Sequence, residues 1–383
     1  MSIDLLRCAL PSGSAPSMDV RRADHPFVLA AATQALTAAR QTPHRAGAVL
    51  TQWFRRNRKL GSRDRRLVSE MVYDTLRHEG ILTRAGAEND EQRVAQWLAV
   101  QRGERFSHVS SLGPEDDYAT ALSLPVHITS QWLALHGPQH AAELGAALSR
   151  RAPTTIRANR LRCSRAQLAD RLRAEGLDVS ETPQASNGLH VHSRANFQTL
   201  HSFREGWFEV QDEASQIFCE ALSVAPGQRV LDLCAGAGGK SLALAAAGAH
   251  VTAHDIRSNA LQELQRRAKR AGARIRIAKP QSADIVIIDA PCSGTGRLRR
   301  DPALRLGLAQ RDITPLLHTQ RTLLDQGASL VRPGGALVYA TCSLLPAEHQ
   351  HDLPGWQLCD DRVLWPHQGN TDGFSWRIWR RSH

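Results

Sequence analysis

Three short stretches hold side chains able to do covalent or acid–base chemistry. In ADIVIIDAPCSGTG, residues 283–296, the carboxylate of Asp289 stands just ahead of the thiol of Cys292. In LVYATCS, residues 337–343, a second thiol, Cys342, follows Thr341. In DLCAGAGGKS, residues 232–241, the small residues Cys234, Ala235, Gly236, Ala237, Gly238 and Gly239 lead to the cation Lys240. A lone cysteine at the end of a strand is usually a small buried hydrophobe. Two such cysteines, a carboxylate and a Gly-rich loop need a common frame before they make a site.

That frame is legible around them. The β-branched run 285–288 has no alternation, as expected of a strand covered on both faces of a parallel sheet. Open parallel sheets bind ligands at the carboxyl ends of their strands, which is where Asp289 and Cys292 are delivered. Strands are expected at 229–233, 250–254, 274–278 and 336–340, with helices at 240–247, 258–271 and 315–331 between them. This alternation implies an α/β doubly wound, Rossmann-like parallel sheet with right-handed crossovers. The loop at 234–239 brings backbone amides and a helix N-terminus to a ligand. A phosphate-cradling loop needs glycine at 234, where Cys234 stands, and a dinucleotide fingerprint from Gly236 needs glycine at 241, where Ser241 stands. S-adenosylmethionine, a nucleoside without pyrophosphate, remains. Asp255, at the end of the second strand, is placed to accept both ribose hydroxyls, and Asp232 to hold the loop by accepting backbone amides.

The 383-residue chain is long enough for two or three domains. Its net charge of +11 and pI near 10.0 point to a polyanionic partner, nucleic acid first and an anionic membrane surface second. Of 48 basic residues only Lys59, Lys240, Lys269 and Lys279 are lysine, and arginine grips phosphate bidentately. The seven cysteines are scattered with no C-x-x-C pair, which fits reduced thiols better than a disulfide framework or a zinc site, so no metal is expected. No apolar run is long enough to cross a membrane, and a cytoplasmic protein without membrane contact is expected. A monomer is favoured. Residues 1–24 read as loose, 26–81 as helices with arginines 55, 56, 58, 63, 65 and 66 at one junction, and 113–117 as a linker. Residues 155–210 read as a compact α+β module whose arginines 157, 160, 162 and 165 are expected to be exposed.

DLCAGAGGKS, DAPCSGTGRLRRDP, LVYATCSLLPAE and the terminal LWPHQGNTDGF together resemble the RNA cytosine carbon-5 methyltransferases of the Sun/Fmu small-subunit rRNA type, RsmB/NOP/NSUN-like. RDRRLVSEMVYDTLR at 63–77 is similar to the NusB-like helical domain that bacterial members carry in front. The resemblance implies three domains: a NusB-like RNA-binding domain over 1–136, a small α+β RNA-binding module over 137–210 and an S-adenosylmethionine-dependent methyltransferase domain over 211–383. It implies that Cys342 is the nucleophile adding to carbon 6 of cytosine, that Cys292 assists product release, and that Asp289 holds the pyrimidine. A free cysteine has a pKa of about 8.5, so a full thiolate at pH 7 costs roughly 2 kcal/mol, which Lys240 could offset. Cys234 to Lys240, Asp255 and Asp289 would line the cofactor, and Arg297, Arg299 and Arg300 would grip RNA phosphates.

The chain departs from the family pattern in three places. Gly236-Ala237 replaces Ala-Pro. Residues 279–282 run almost directly into the fourth strand where a Gly-Asp pair would bind the adenine amine. After TCS, Glu-Asn and a long helix shrink to Glu348-His349. The expected substrate is rRNA, with tRNA as an alternative, and a catalytically decayed member that only binds RNA as the rival.

Overall fold

The computed structural model describes residues 19–104, 111–309 and 312–381. Of the stretch expected to be loose, residues 1–18 lie outside the described residues, and Val20–Ala23 is a short helix capped by Asp19. The chain divides into two compact units: the residues up to Arg151 together with Arg297–Asp312, and Ala152–Gly296 together with the chain from Ile313 onward.

The first unit is helical, and its apolar spacing explains it. Val28, Ala31, Ala32, Ala35, Leu36 and Ala39 line one face of the helix Pro26–Gln41, and Leu67, Val68, Met71, Val72 and Leu76 line Ser62–Arg77. Both stripes repeat at three and four residues and meet in one core with Val94 and Leu98. Arg55, Arg56, Arg58 and Arg66 are exposed beside the junction of two helices. The linker expected at 113–117 is instead a helix start. Gly113 sits at φ 121°, Pro114 takes the first position and Glu115, Asp116 and Asp117 fill the first turn of Pro114–Leu122. Pro at N1 with acids beside it was a readable start signal. Residues 105–110 of that expected irregular region lie outside the described residues. The boundary expected after residue 136 falls at a kink inside Val126–Ser149, where Gly137 has φ 70° and Pro138 follows, while the unit runs on to Arg151.

Arg297–Asp312 joins this unit through Ala303, which enters the helical core, and Arg305. The Arg305 guanidinium is buried and donates to the carbonyls of Leu122 (2.8 Å), Leu298 (2.8 Å) and Leu148 (3.1 Å). Burial, with the Arg77 charge adding to it and Asp301 opposing, pushes its pKa down to about 9.

The second unit has two sheets. The smaller contains β1 (Thr154–Ala158), β2 (Val179–Glu181), β3 (Gly188–Val191) and β4 (Phe208–Val210) in the order β2-β3-β1-β4, all antiparallel. One face is covered by the helix Arg165–Ala174, whose N-terminus is a full capping box of Ser164 and Gln167.

The larger sheet has seven strands: β5 (Arg229–Asp232), β6 (His250–Ala253), β7 (Ile275–Ile277), β8 (Ala283–Asp289), β9 (Val331–Thr341), β10 (Trp356–Leu364) and β11 (Phe374–Arg381). Its order is β10-β11-β9-β8-β5-β6-β7. The five strands read from the sequence are parallel to their neighbours, but β11 runs antiparallel to β9 and β10 antiparallel to β11, so the sheet is mixed. The β8 run feeds two cores alternately: Ile285 and Ile287 face one layer, Val286 and Ile288 the other. Pro333-Gly334-Gly335, expected to break the chain ahead of a strand, lies within β9. The β8–β9 register slips between Ala283 and Ile285, and there a Cβ on Gly335 would come within 2.5 Å of the Asp284 carbonyl, so the irregular stretch needs glycine. Among the described residues no helix is long and apolar enough to cross a membrane.

Candidate active site

Parallel pairing of β8 with β9 sets Asp289 opposite Ala340, so the turns that follow the two strands lie side by side. The Cys292 and Cys342 sulfurs are 3.4 Å apart, a thiol contact and not a disulfide. The hydrogen bond to Cys342, with burial added, pushes the Cys292 thiol well above the ordinary cysteine range. Asp289 accepts from Lys240 Nζ at 2.6 Å. Burial works against the Lys240 charge, but the Asp289 carboxylate outweighs it and holds the ammonium above its usual pKa. The Lys240 ammonium also lies 4.9 Å from the centre of the Phe374 ring and 5.9 Å from that of Phe218.

Glu348 fixes the two cysteine turns. Its fully buried carboxylate accepts from Ser293 N (2.8 Å) and Gln320 Nε2 (3.1 Å) on one oxygen, and from the Ser293 and Ser343 hydroxyls on the other. Ser293 and Ser343 each directly follow a cysteine, so one acid sets the spacing of both thiols. Gly296 donates to the Cys342 carbonyl (2.9 Å), and Gly373 donates to the Gly296 carbonyl (2.8 Å). A Cβ on Gly296 would collide with the Gly373 carbonyl, so the terminal TDGF motif needs glycine at both places and then sets Phe374 against Lys240.

The loop 234–239 joins β5 to the helix Gly239–Ala246, with Gly236 at φ 53° and Gly238 at φ 82°. A side chain on Gly238 would strike Leu264, 2.6 Å from a built Cβ. Ala235 N donates to the His254 carbonyl, and the Ala237 carbonyl accepts from Arg267, so Cys234 to Gly239 are held as a rigid bend. Burial raises the Cys234 thiol far above its ordinary pKa, leaving it neutral. Asp232 accepts from the Ser241 hydroxyl at 2.6 Å, so it anchors the helix start through a side chain and not through the backbone amides expected. Its burial pushes its pKa up to about 6.

Asp255 follows β6 as expected, but its carboxylate is already engaged. It accepts from Gly236 N (2.8 Å), from Arg257 N (2.8 Å) and, on its two oxygens, from Arg257 Nε and Nη2 (3.0 Å each). Burial works against its charge, and the bonds from Arg257 and Gly236 overcome it, holding the carboxyl below the usual range. Between β7 and β8 the chain passes through residues 278–282 with no acid.

The structure thus brings Cys292, Cys342, Asp289 and Lys240 together, and Cys234 to Gly239 together with Asp255. Two expectations about arginine fail. Arg157 is 7% exposed and Arg299 2% exposed, so neither stands on the outer surface as expected. Glu348, Phe218, Phe374 and Arg257, which contact these candidates or the residues beside them, were not singled out from the sequence. The signal for Glu348 was its position just past TCS. That for Arg257, two residues after Asp255, was legible only as a charge.

A family model described as 16S rRNA methyltransferase RsmB/F matches residues 219–356, and a second, for the RsmF/B-like ferredoxin-like domain, matches residues 124–198. Ribosomal RNA small subunit methyltransferase B of Pseudomonas syringae pv. tomato is 33% identical over 226 residues, 55% of this chain and 50% of that protein. The same-named protein of Pseudomonas putida is 33% identical over 269 residues, 62% of each. The chain therefore spans about half to three-fifths of the length of these relatives. Among solved structures, PH0851 superposes with a TM-score of 0.73 over 92% of this chain and 99% of that one at 21% identity. A methyltransferase homolog protein from Pyrococcus horikoshii superposes at 0.57 over 67% of this chain and 100% of that one at 24% identity. These two share the fold. Two domain models of one family thus match in consecutive order, and residues 124–198 and 219–356 are those of an RsmB/F-type methyltransferase.

Proposed function

We propose that this protein transfers a methyl group from S-adenosylmethionine to carbon 5 of a cytosine in RNA, with small-subunit rRNA as the substrate, through a covalent cysteine adduct. The observation that carries this reading is the pair of sulfurs 3.4 Å apart beside the Lys240–Asp289 contact. Carbon 5 of cytosine is too weak a nucleophile to attack a methyl sulfonium. A thiolate added at carbon 6 pushes electron density onto carbon 5. Cys342 makes that bond, favoured as thiolate by the Lys240 ammonium, while Asp289 accepts from the exocyclic amine and, when protonated, donates to nitrogen 3. After transfer a water molecule acting as base takes the carbon-5 proton, and the carbon-5–carbon-6 double bond reforms as the Cys342–carbon-6 electron pair returns to sulfur. Cys292, kept as a thiol, assists that release by donating its proton to the departing thiolate. The cofactor supplies the methyl group. The positive-φ glycines 236 and 238 open the loop to it, and Asp255 offers two oxygens to its ribose hydroxyls, so these residues fit a nucleoside.

The test separates the cysteines. Cys342→Ala should form no protein–RNA adduct, whereas Cys292→Ala should accumulate one that survives denaturing electrophoresis, because loss of a proton-transfer group costs about a hundredfold to ten-thousandfold. The double variant should leave no shifted band. An adduct in the Cys342 variant and none in the Cys292 variant would reverse the roles.

A second reading, an RNA-binding protein without methyl transfer, is favoured by Arg257 on Asp255 and by the absence of an acid at 278–282. Isothermal titration with S-adenosylmethionine decides between them, since a methylase must bind it. In either reading the exposed Arg55, Arg56, Arg58 and Arg66 of the helical unit would meet RNA phosphates.

A further inference from the structure

Arg157 lies on β1 with its side chain in the interior, 7% exposed. Among the described residues its guanidinium makes no hydrogen bond or ion pair, and its Nε is buried without a partner. A buried unpaired cation costs several kcal/mol, so the fold either tolerates that penalty or supplies a counterion from outside. The available acids are taken. Glu209, opposite Arg157 in the β1–β4 register, is held by Arg267 (2.9 Å) and Arg270 (2.5 Å). Glu220 is turned to Ser186, whose N and Oγ it accepts at 3.0 and 2.7 Å. The nearby Cys219 is no counterion either, because burial pushes its thiol up to about 11.

Arg157 instead lines a cavity of about 280 Å3 between the small sheet and the helices Glu213–Ala221 and Gly239–Ala246. The same wall carries Gln216, whose Nε2 donates to the Ile156 and Gln211 carbonyls and whose Oε1 is buried without a partner. Arg160, Ser186 and Asn187 are shared with an adjoining groove of about 650 Å3 that also carries Arg162 and Arg165. The acids on the approach are Glu220, turned to Ser186, and Glu181, paired with Arg165 at 2.7 Å, so Arg160 and Arg162 leave it basic. A guanidinium seeking acceptors and an amide oxygen seeking a donor match an oxyanion that is partly protonated or carries a hydroxyl.

We propose that this cavity binds a phosphate group, with Arg157 as its bidentate anchor and Gln216 Oε1 as acceptor for the ligand's O–H. The site is separate from the cysteine pair and adds a ligand to the protein beyond its methyl donor and acceptor. The phosphate would come from a free phosphorylated metabolite or from a backbone phosphate of RNA.

The full chain, freed of phosphate, is titrated by calorimetry with inorganic phosphate, uridine 5′-monophosphate and the dinucleotide UpU, with thermal melts in parallel. Saturable binding of at least one probe is expected, weakened about tenfold or more in Arg157→Met. Without ligand that variant should melt no lower than the parent, since an unpaired buried charge has been replaced by an apolar chain. Should Arg157→Met not fold, Ala246→Leu keeps the arginine, fills the cavity and should abolish the same binding. Binding of phosphate and the monophosphate assigns a free metabolite, and binding of UpU alone assigns RNA. No saturable binding of any probe, or undiminished binding in both variants, overturns the proposal.

Discussion

The two ends of the sheet edge that carries the candidate site are built on opposite plans. At the cysteine end, β8 and β9 deliver two thiols into turns that a single buried acid, Glu348, ties together through four hydrogen bonds. At the loop end, Asp255 is the one acid after β6, and a mostly exposed arginine, side chain 64% accessible, occupies it. Under the proposed function the reacting groups are pre-positioned before substrate arrives, and the nucleoside acceptor has to be cleared first. Rigidity is spent where bonds form, since small displacements there cost rate directly.

Glu348→Ala tests the first plan and should have the largest effect. It strands the Ser293 amide in a dry interior and takes the charged acceptor from the Ser293 and Ser343 hydroxyls and the Gln320 amide, which keep only Thr295, each other and the Pro291 carbonyl as partners. Bonds to a charged group are worth about 1.5–3 kcal/mol each when counted singly, so a net loss of about 3 kcal/mol or more is expected. Adduct formation with RNA should fall by about a hundredfold as the sulfurs lose their spacing. Glu348→Gln, which keeps an acceptor and the volume, should recover part of both. A variant with unchanged melting and unchanged adduct rate would remove the contrast between the two ends.

His349, next to Glu348, makes the cysteine end sensitive to acid. It is 5% exposed with Nε2 unpartnered, and burial pushes its pKa from 6.5 down to about 4, with Asp361 opposing and Arg377 and His351 adding to the shift. The folded state therefore binds a proton less readily than the unfolded chain. Its contribution is complete above pH 6.5 and is lost as pH falls toward 4, by at most about 3 kcal/mol. Asp232, raised to about 6, acts with the opposite sign over part of that range. The difference between parent and His349→Gln isolates the histidine. Denaturant midpoints should converge as pH drops from 7 to 4, and parallel curves would show that His349 does not titrate as stated.

Asp255→Ala addresses the loop end. Removing the acceptor for the ribose hydroxyls should weaken S-adenosylmethionine binding by roughly tenfold to a hundredfold, as expected for a lost hydrogen bond to a charged group. Titration calorimetry reads it directly. An unchanged dissociation constant would place the ribose elsewhere.

The sequence carried the parallel core, because β8 is a continuous apolar run with its candidate functional residues at the carboxyl end. It carried both cysteines and the Gly-rich loop for the same reason: short motifs at strand ends keep their meaning out of context. The antiparallel pair β10–β11 was missed, since WQLCDDRVL and FSWRIWRR lie at one edge and mix charge with aromatic residues. Arginine was the least legible residue type. Composition cannot tell Arg55, which is exposed, from Arg157 and Arg305, which are buried, because burial depends on which face of an element the tertiary fold covers. Nor could periodicity assign 297–312 to the helical unit, a long-range contact set by Ala303 and Arg305.

Arg257 gives the smallest effect and the sharpest sign. Its guanidinium takes both Asp255 oxygens, the atoms that a ribose would use, so cofactor and arginine compete for one acceptor. Arg257→Ala should therefore bind S-adenosylmethionine more tightly, the reverse of Asp255→Ala. The gain is bounded by what the contact is worth. With most of the arginine side chain in solvent, the pair is screened and contributes no more than about 1 kcal/mol, a few-fold in affinity. Raising ionic strength should narrow the gap between parent and variant, because salt weakens the competing pair more than the neutral ribose hydroxyls. Arg257→Lys, a single point charge without the two-pronged geometry, should fall between them. A loss of affinity in Arg257→Ala would mean that the arginine contacts the cofactor itself, and the loop end would then be as pre-positioned as the cysteine end.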